Sequence, residues 1–161
     1  MILPNLGVTN TADDFASRMF LDARKFDIKA NGREESKQLQ NAFDYMQYYG
    51  GTLVMPASGL SLVSTPLIIQ NSGWRILAHN WNYQIQAANN LNNYVIIFSQ
   101  PQSAGITNSI IQNLHINGNN QNQSGGGCLN ANGSYRNLFD NCFFDAPYQT
   151  GLLLQIGRAH V

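Results

Sequence analysis

The sequence predicts an all-β chain built as a parallel solenoid, with one α-helix laid across its start. Three observations predict this. A single amphipathic segment occupies roughly residues 34–49. Many short apolar runs follow it, separated by Asn, Ser, Gly and Pro. Those runs also repeat. Asn113-Leu114-His115-Ile116 recurs as Asn141-Cys142-Phe143-Phe144, a shift of 28, and Gly127-Cys128-Leu129 recurs as Gly151-Leu152-Leu153, a shift of 24. Shifts of that size fit one layer of a stacked-strand array.

Residues 1–25 read as a lead-in. Met1 to Asn10 show no periodicity. Thr11 has the chemistry of a helix N-cap, with Asp14 three residues on, and Phe15, Met19, Phe20 and Ala23 make a short stripe to about Arg24. This predicts a short helix, either a connector or a packed helix without special role. In the segment 34–49, Leu39, Ala42, Phe43, Met46 and Tyr49 fall on one face. Glu34 and Glu35 suit the positive end of its dipole, and Gly50-Gly51 ends it. A strand over 52–55 closes at Pro56, and Ala57-Ser58-Gly59 turns the chain.

Further strands are predicted near 60–63, 67–69, 74–77, 94–98, 110–116, 127–130, 138–144 and 151–155. Turn chemistry separates them at Ser64-Thr65-Pro66, Asn71-Ser72-Gly73, Asn89-Asn90, Pro101-Gln102-Ser103, Asn117-Gly118-Asn119-Asn120 and Asp145-Ala146-Pro147. The Asn-rich segment 79–93 has no assignment. Strand alternation places Leu114 and Ile116 inward beneath Cys142 and Phe144, with His115 and Phe143 outward. Asn113 and Asn141 then stack at a turn, where their amides can bond each other and the backbone.

The stretch from Phe26 to Pro66 resembles the start of the pectate-lyase-like, single-stranded right-handed parallel β-helix superfamily. That group includes pectate lyases, polygalacturonase-type glycosidases and phage tailspikes. Its members show a Phe-x-Val-x strand, a Gly-Ala-x-Gly-Asp-Gly loop, an Asp-Asp-Thr helix start, a Gln-rich helix, a Gly-Gly-Thr-Val strand and a Pro-x-Gly-x-Tyr turn. Here Phe26-Asp27-Ile28-Lys29 stands for the strand and Ala30-Asn31-Gly32 for a shortened loop. Glu34-Glu35-Ser36 stands at the helix start, followed by Leu39-Gln40-Asn41-Ala42-Phe43. Gly50-Gly51-Thr52-Leu53-Val54-Met55-Pro56-Ala57-Ser58-Gly59 matches the strand and turn, while the Gly-Asp-Gly is missing and Leu60 replaces the Tyr. The resemblance covers about 26–155. It implies a right-handed β-helix whose first layers are capped by the helix, since an open solenoid end must be covered. It also implies a parent protein that binds and cleaves a polysaccharide, as a lyase or glycoside hydrolase, with a phage tailspike depolymerase as the leading expectation. The substrate would be a capsule, a lipopolysaccharide O-antigen or a pectin-like polymer, the location a virion tail or the extracellular space, and the assembly of a tailspike a homotrimer. A non-enzymatic structural or receptor-binding protein of a phage tail or adhesin, and a secreted pectinase-like enzyme, are the rival expectations.

Ile156-Gly157-Arg158-Ala159-His160-Val161 fit no strand pattern and resemble the in-frame translation of a short-read sequencing adapter. The expectation is that the natural protein continues and that the fold is truncated at its C-terminal end.

Nine basic and nine acidic residues leave a formal net charge of zero, which argues against nucleic acid or an anionic membrane surface as partner. Neither an 18-residue apolar run nor a secretory leader is evident. Cys128 and Cys142 sit in apolar runs without metal spacing and read as buried free thiols. Asp140 and Asp145 are the candidate catalytic carboxylates, because glycosidases of the resembled kind need a carboxylate pair. Edge solvation is the competing reading for both. His115 and Trp81 are the candidate sugar-binding side chains, one on an outward strand position and one a large ring able to stack on a sugar. Trp74 reads as core. The Gly125-Gly126-Gly127 run lacks a following Lys-Ser/Thr and reads as a turn. A cofactor is not evident. A lyase parent would imply Ca²⁺ to neutralise a uronate.

Overall fold

A computed structural model describes residues 20–99 and 105–154. The strands, in chain order, are β1 (Phe20–Asp22), β2 (Asn31–Glu34), β3 (Gly51–Val54), β4 (Gly59–Val63), β5 (Leu67–Ile69), β6 (Trp74–Leu77) and β7 (Tyr83–Ala87). They continue with β8 (Ile96–Phe98), β9 (Ile110–Gln112), β10 (His115–Asn117), β11 (Gly127–Asn130), β12 (Leu138–Asp140), β13 (Phe143–Asp145) and β14 (Thr150–Leu153). One α-helix, α1 (Ser36–Tyr49), lies between β2 and β3.

The strands form three parallel sheets. Sheet A runs β1-β3-β6-β9-β12, sheet B runs β2-β4-β7-β10-β13, and sheet C runs β5-β8-β11-β14. The chain visits A, B and C in rotation, so each strand pairs with its counterpart one repeat away. Inward side chains of all three sheets meet in one apolar interior. Leu53, Leu67, Ile76, Ile85, Ile96, Ile111, Leu114, Ile116 and Leu129 are fully buried there. Each such side chain contributes about 1.5–3 kcal/mol by leaving water.

This corrects the expected all-β, single right-handed β-helix. The described residues form three separate parallel sheets of five, five and four strands, open at their edges, together with a fourteen-residue helix. The arrangement is of α/β type. The physical reason is the shortness of the runs. Strands of three to five residues end at turns, several of them through left-handed residues, so the hydrogen-bond ladder stops at every turn. The repeat in the sequence reports pairing within a sheet. It carries no information about whether the ladders join around the section.

The pairing itself matches the repeat closely. His115 lies beside Phe143 and Ile116 beside Phe144, in parallel. In sheet C the register is one residue off the expectation, because Leu129 pairs with Leu152 and Gly127 with Thr150. Two expected long strands, 110–116 and 138–144, are each split in two. Asn113 (φ 59°) and Asn141 (φ 49°) take the left-handed conformation at the break, which asparagine tolerates better than most residues. Their amides stack as expected: Asn141 Nδ2 donates to Asn113 Oδ1 at 2.8 Å, and Asn113 Nδ2 donates to the Ala78 carbonyl at 3.3 Å. The unassigned segment contains β7, whose Tyr83, Ile85 and Ala87 point inward while Gln84 and Gln86 point outward.

The helix starts two residues later than predicted: Glu34 Oε1 accepts from Ser36 N at 3.0 Å from outside the first turn, and Glu35 is the cap residue but makes no side-chain capping bond. The Glu35 carboxylate turns inward and is almost fully enclosed. It accepts from Lys29 N (2.6 Å), Ala30 N (3.2 Å) and Ser61 Oγ (2.5 Å), and Ser61 Oγ is in turn 2.9 Å from the Tyr83 hydroxyl. A buried carboxylate is tolerable only with such a set of donors. Burial pushes the Tyr83 phenol far above its ordinary range, so it stays a neutral donor or acceptor in this network.

Leu39, Ala42, Phe43 and Met46 cover the interior at this end, as the stripe predicted. Tyr45 joins them, tilted against Phe26 with ring centroids 5.8 Å apart, while Tyr49 sits at the rim. The helix also completes the edge of β5. Gln40 Oε1 accepts from Ile68 N (2.7 Å) and its Nε2 donates to the Ile68 carbonyl (2.8 Å). Gln47 Oε1 accepts from Gln70 N (2.6 Å) and Asn71 N (3.1 Å). Two side-chain amides thus take the place of a neighbouring strand, and the strand edge keeps its hydrogen bonds.

The start of the described chain also departs from expectation. Phe20–Asp22 is a strand and Ala23–Phe26 a short 3₁₀ helix closed by left-handed Asp27, so no α-helix reaches Arg24. The first strand of sheet B is Asn31–Glu34 rather than 26–29. The rest of the expected lead-in helix, the turn at 101–103 and the terminal segment 156–161 lie outside the described residues. Both cysteines are free thiols. Burial pushes the Cys128 thiol up to about 12 and raises Cys142 as well.

Candidate functional site

The outward face of sheet B brings together most of the residues singled out from the sequence. Strand alternation exposes two columns on β4, β7, β10 and β13. One reads Leu60, Gln84, His115, Phe143 and the other Leu62, Gln86, Asn117, Asp145. Neighbouring strands are about 4.8 Å apart, so members of a column touch.

Trp81 sits on the turn before β7, and its indole reaches across β10 to the fifth layer. Its ring stacks on Phe143, with centroids 5.5 Å apart and planes 29° apart. Its Nε1 donates to the Asn141 carbonyl at 2.7 Å, which fixes the ring. Trp81 is 48% exposed and Phe143 43%, so together they form an aromatic shelf open to solvent. Beneath the shelf, His115 is tilted against Phe143 at 4.8 Å. His115 Nε2 is enclosed, makes no hydrogen bond, and lies 3.7 Å from Asp145 Oδ2. Asp145 Oδ2 also accepts from Asn117 Nδ2 at 3.3 Å, and Gln84 Nε2 donates to Gln86 Oε1 at 3.1 Å. The carboxylate is half exposed and keeps acceptor capacity toward solvent.

His115, Trp81 and Asp145 therefore share one face, and Asp140 does not. Asp140 ends β12 in sheet A, pairs in register with Gln112, and accepts from Gln112 Nε2 at 2.7 Å. Asp140 and Cys142 are two residues apart, a spacing that puts both on one side of an unbroken strand. The left-handed Asn141 between them resets the alternation, so Asp140 faces out while Cys142 packs on the core and donates to the Ile111 carbonyl. The two carboxylates thus extend from different sheets with different partners. Trp74 is buried, edge-to-face with Phe98.

Gln84, Gln86, Asn117 and Phe143 were not selected as site residues. The alternating Tyr83-Gln84-Ile85-Gln86-Ala87 was the available signal for the first two. The shelf itself was not legible, because Trp81 and Phe143 are 62 positions apart.

The site is a face, not a cleft. A concavity of about 220 Å³ lies elsewhere, lined by Ser134, Tyr135, Arg136, Asn137, Phe139 and Leu154. A second, more open concavity of about 400 Å³ runs beside the start of α1, lined by Glu34, Ser36, Lys37, Gln40 and Ser64 among others. The Gly125-Gly126-Gly127 run is a turn of close approach. Gly126 has φ 82° and a side chain there would strike the Asn93 backbone, while one on Gly127 would strike the Thr150 carbonyl. Among the described residues, no three or more His, Cys, Asp or Glu side chains gather as a metal site, and no helix is long and apolar enough to cross a membrane.

No known protein family and no curated protein matches the chain. Among solved structures, ORF18 of Geobacillus virus E2 is similar, with a TM-score of 0.66 at 17% sequence identity over 79% of this chain. The chain spans 26% of that protein's length. The likeness is one of fold.

Proposed function

We propose that this chain is the glycan-binding part of a longer phage-particle protein, and that it holds a polysaccharide along the outward face of sheet B. The exposed Trp81–Phe143 stack carries the reading. Sugar rings present apolar C–H faces that pack on aromatic rings, and their hydroxyls need donors and acceptors close by. The shelf supplies the first. Asp145, Asn117, Gln84 and Gln86 supply the second, on the same face. An open face suits a polymer that extends past the site in both directions. The likeness to a viral protein's fold supports the phage setting.

Binding rather than cleavage is the activity proposed for these residues. Asp140 and Asp145 extend from separate sheets, and cleavage in the parent would rest on groups outside the described residues. The test is titration of the chain with bacterial surface polysaccharides, followed by Trp fluorescence and calorimetry. Binding that quenches fluorescence in the native chain and is lost in Trp81→Ala and in Phe143→Ala, with the fold intact by circular dichroism, supports the reading. Binding unchanged in both variants overturns it.

A further inference from the structure

We infer that the ligand is an uncharged polysaccharide, one carrying hydroxyl or acetamido groups, rather than a polyuronate or other acidic glycan; this rests on the glycan-binding reading above. The charge layout carries it. None of the eight outward positions on β4, β7, β10 and β13 is Lys or Arg, and the one formally charged residue among them is Asp145. The cations of the described residues lie off these four strands. Arg33 is on β2, the sheet B edge strand farthest from the shelf. Arg24 and Lys29 pair with Asp22 and Asp27, Lys25 is in the 3₁₀ helix and Lys37 on α1. Arg75 is on sheet A, paired in register with Thr52 and Ile110, and Arg136 lies over Tyr135.

Recognition of a sugar carboxylate or phosphate calls for a guanidinium fork or an ammonium. This face offers instead three amides and a carboxylate. Amides donate and accept at once, which matches hydroxyl and acetamido groups that also do both. The carboxylate accepts from hydroxyls and repels an acidic ring laid on the shelf. At about 4–6 Å and surface screening, that repulsion is worth roughly a tenfold loss of affinity per acidic sugar in contact. His115 Nε2 is enclosed behind the shelf and turned toward Asp145 at 3.7 Å, so this nitrogen is not presented to a ligand.

The experiment is an array of bacterial-surface and plant polysaccharides, sorted into neutral and uronate-containing members and probed with the full chain at low and at physiological ionic strength. Neutral glycans are expected to bind. Uronate-containing glycans of similar backbone are expected to bind roughly tenfold more weakly, with the gap widening at low salt. Asp145→Asn is expected to narrow that gap, and Asp145→Lys to reverse it. Acidic glycans binding as tightly as neutral ones, or a gap that Asp145→Asn leaves unchanged, would overturn the inference while leaving the glycan-binding reading in place. Silence across the whole array would overturn both.

Discussion

At the helical end of the stack, Leu39, Ala42 and Phe43 are wholly enclosed, and Gln40 and Gln47 occupy the hydrogen-bonding edge of β5. At the opposite end of the described residues, Phe139, Phe144 and Leu152 also point toward the interior, yet they are only partly covered. Leu154 is 49% exposed there. The strands at the two ends have the same length and the same parallel pairing. What differs is the cover over the last layer of side chains. Strand pairing aligns a repeat, but the apolar stabilisation of each layer depends on a further layer, or a helix, lying over it.

The largest expected effect tests this directly. Phe43→Ala removes a fully buried ring beneath the helical cover and should cost about 3–5 kcal/mol in urea unfolding. Phe144→Ala removes a ring of the same size from the partly covered end and should cost less than about half as much. Equal losses would show that both ends are sealed in solution.

Gln47→Ala should come next, at about 1–2 kcal/mol, because Gln70 N and Asn71 N lose a part-buried acceptor. Amide exchange at 68–71 should rise well above that of the other sheets. Unchanged exchange there would mean that the edge does not depend on the helix.

Smaller again is the asparagine corner. Asn141→Gly keeps the left-handed conformation and loses only the amide bonds. Asn141→Ala loses both, and should be less stable than the Gly variant by roughly 1 kcal/mol. Thermal unfolding of the pair decides it.

The smallest effect is a pH dependence at the helix start. Burial alone would raise the Glu34 carboxyl, but hydrogen bonds from Ser36 and Ser64 outweigh it and hold the group below its ordinary value. A carboxyl held low in the folded chain stabilises the fold above its unfolded value, and that stabilisation is lost as pH falls through the folded one. Glu34→Gln should therefore flatten the fall in stability between about pH 5 and pH 3, measured by urea midpoints. An unaltered slope would place the acid sensitivity elsewhere.

The same contrast marks how far the sequence could be read. The stripe of α1 and the 28-residue pairing of His115 with Phe143 were legible because each is a local or periodic signal. The split of each long strand was not, because a single left-handed asparagine resets alternation without interrupting the apolar run. The shared parity of Asp140 and Cys142 along the chain therefore does not put them on one side of the sheet. β7 was hidden by Asn-rich flanks although its own alternation is regular. Asp145, His115 and Trp81 could be named one at a time. Their convergence depends on which sheet each strand joins, and length and polarity of a run do not encode that.

The rotation of the chain through three sheets also bears on how the molecule forms. Each strand's earlier partner lies only about 23 residues back, as from Trp74 to Gly51, to about 35 back, as from Ile110 to Arg75. No layer from β3 onward waits for a segment made much later. During synthesis the helix and its first layer have their partners once the chain has emerged through β6, which ends at Leu77, and each later strand finds an earlier one to pair with. From the order of the strands, growth from the helical end needs no segment of chain that is made much later.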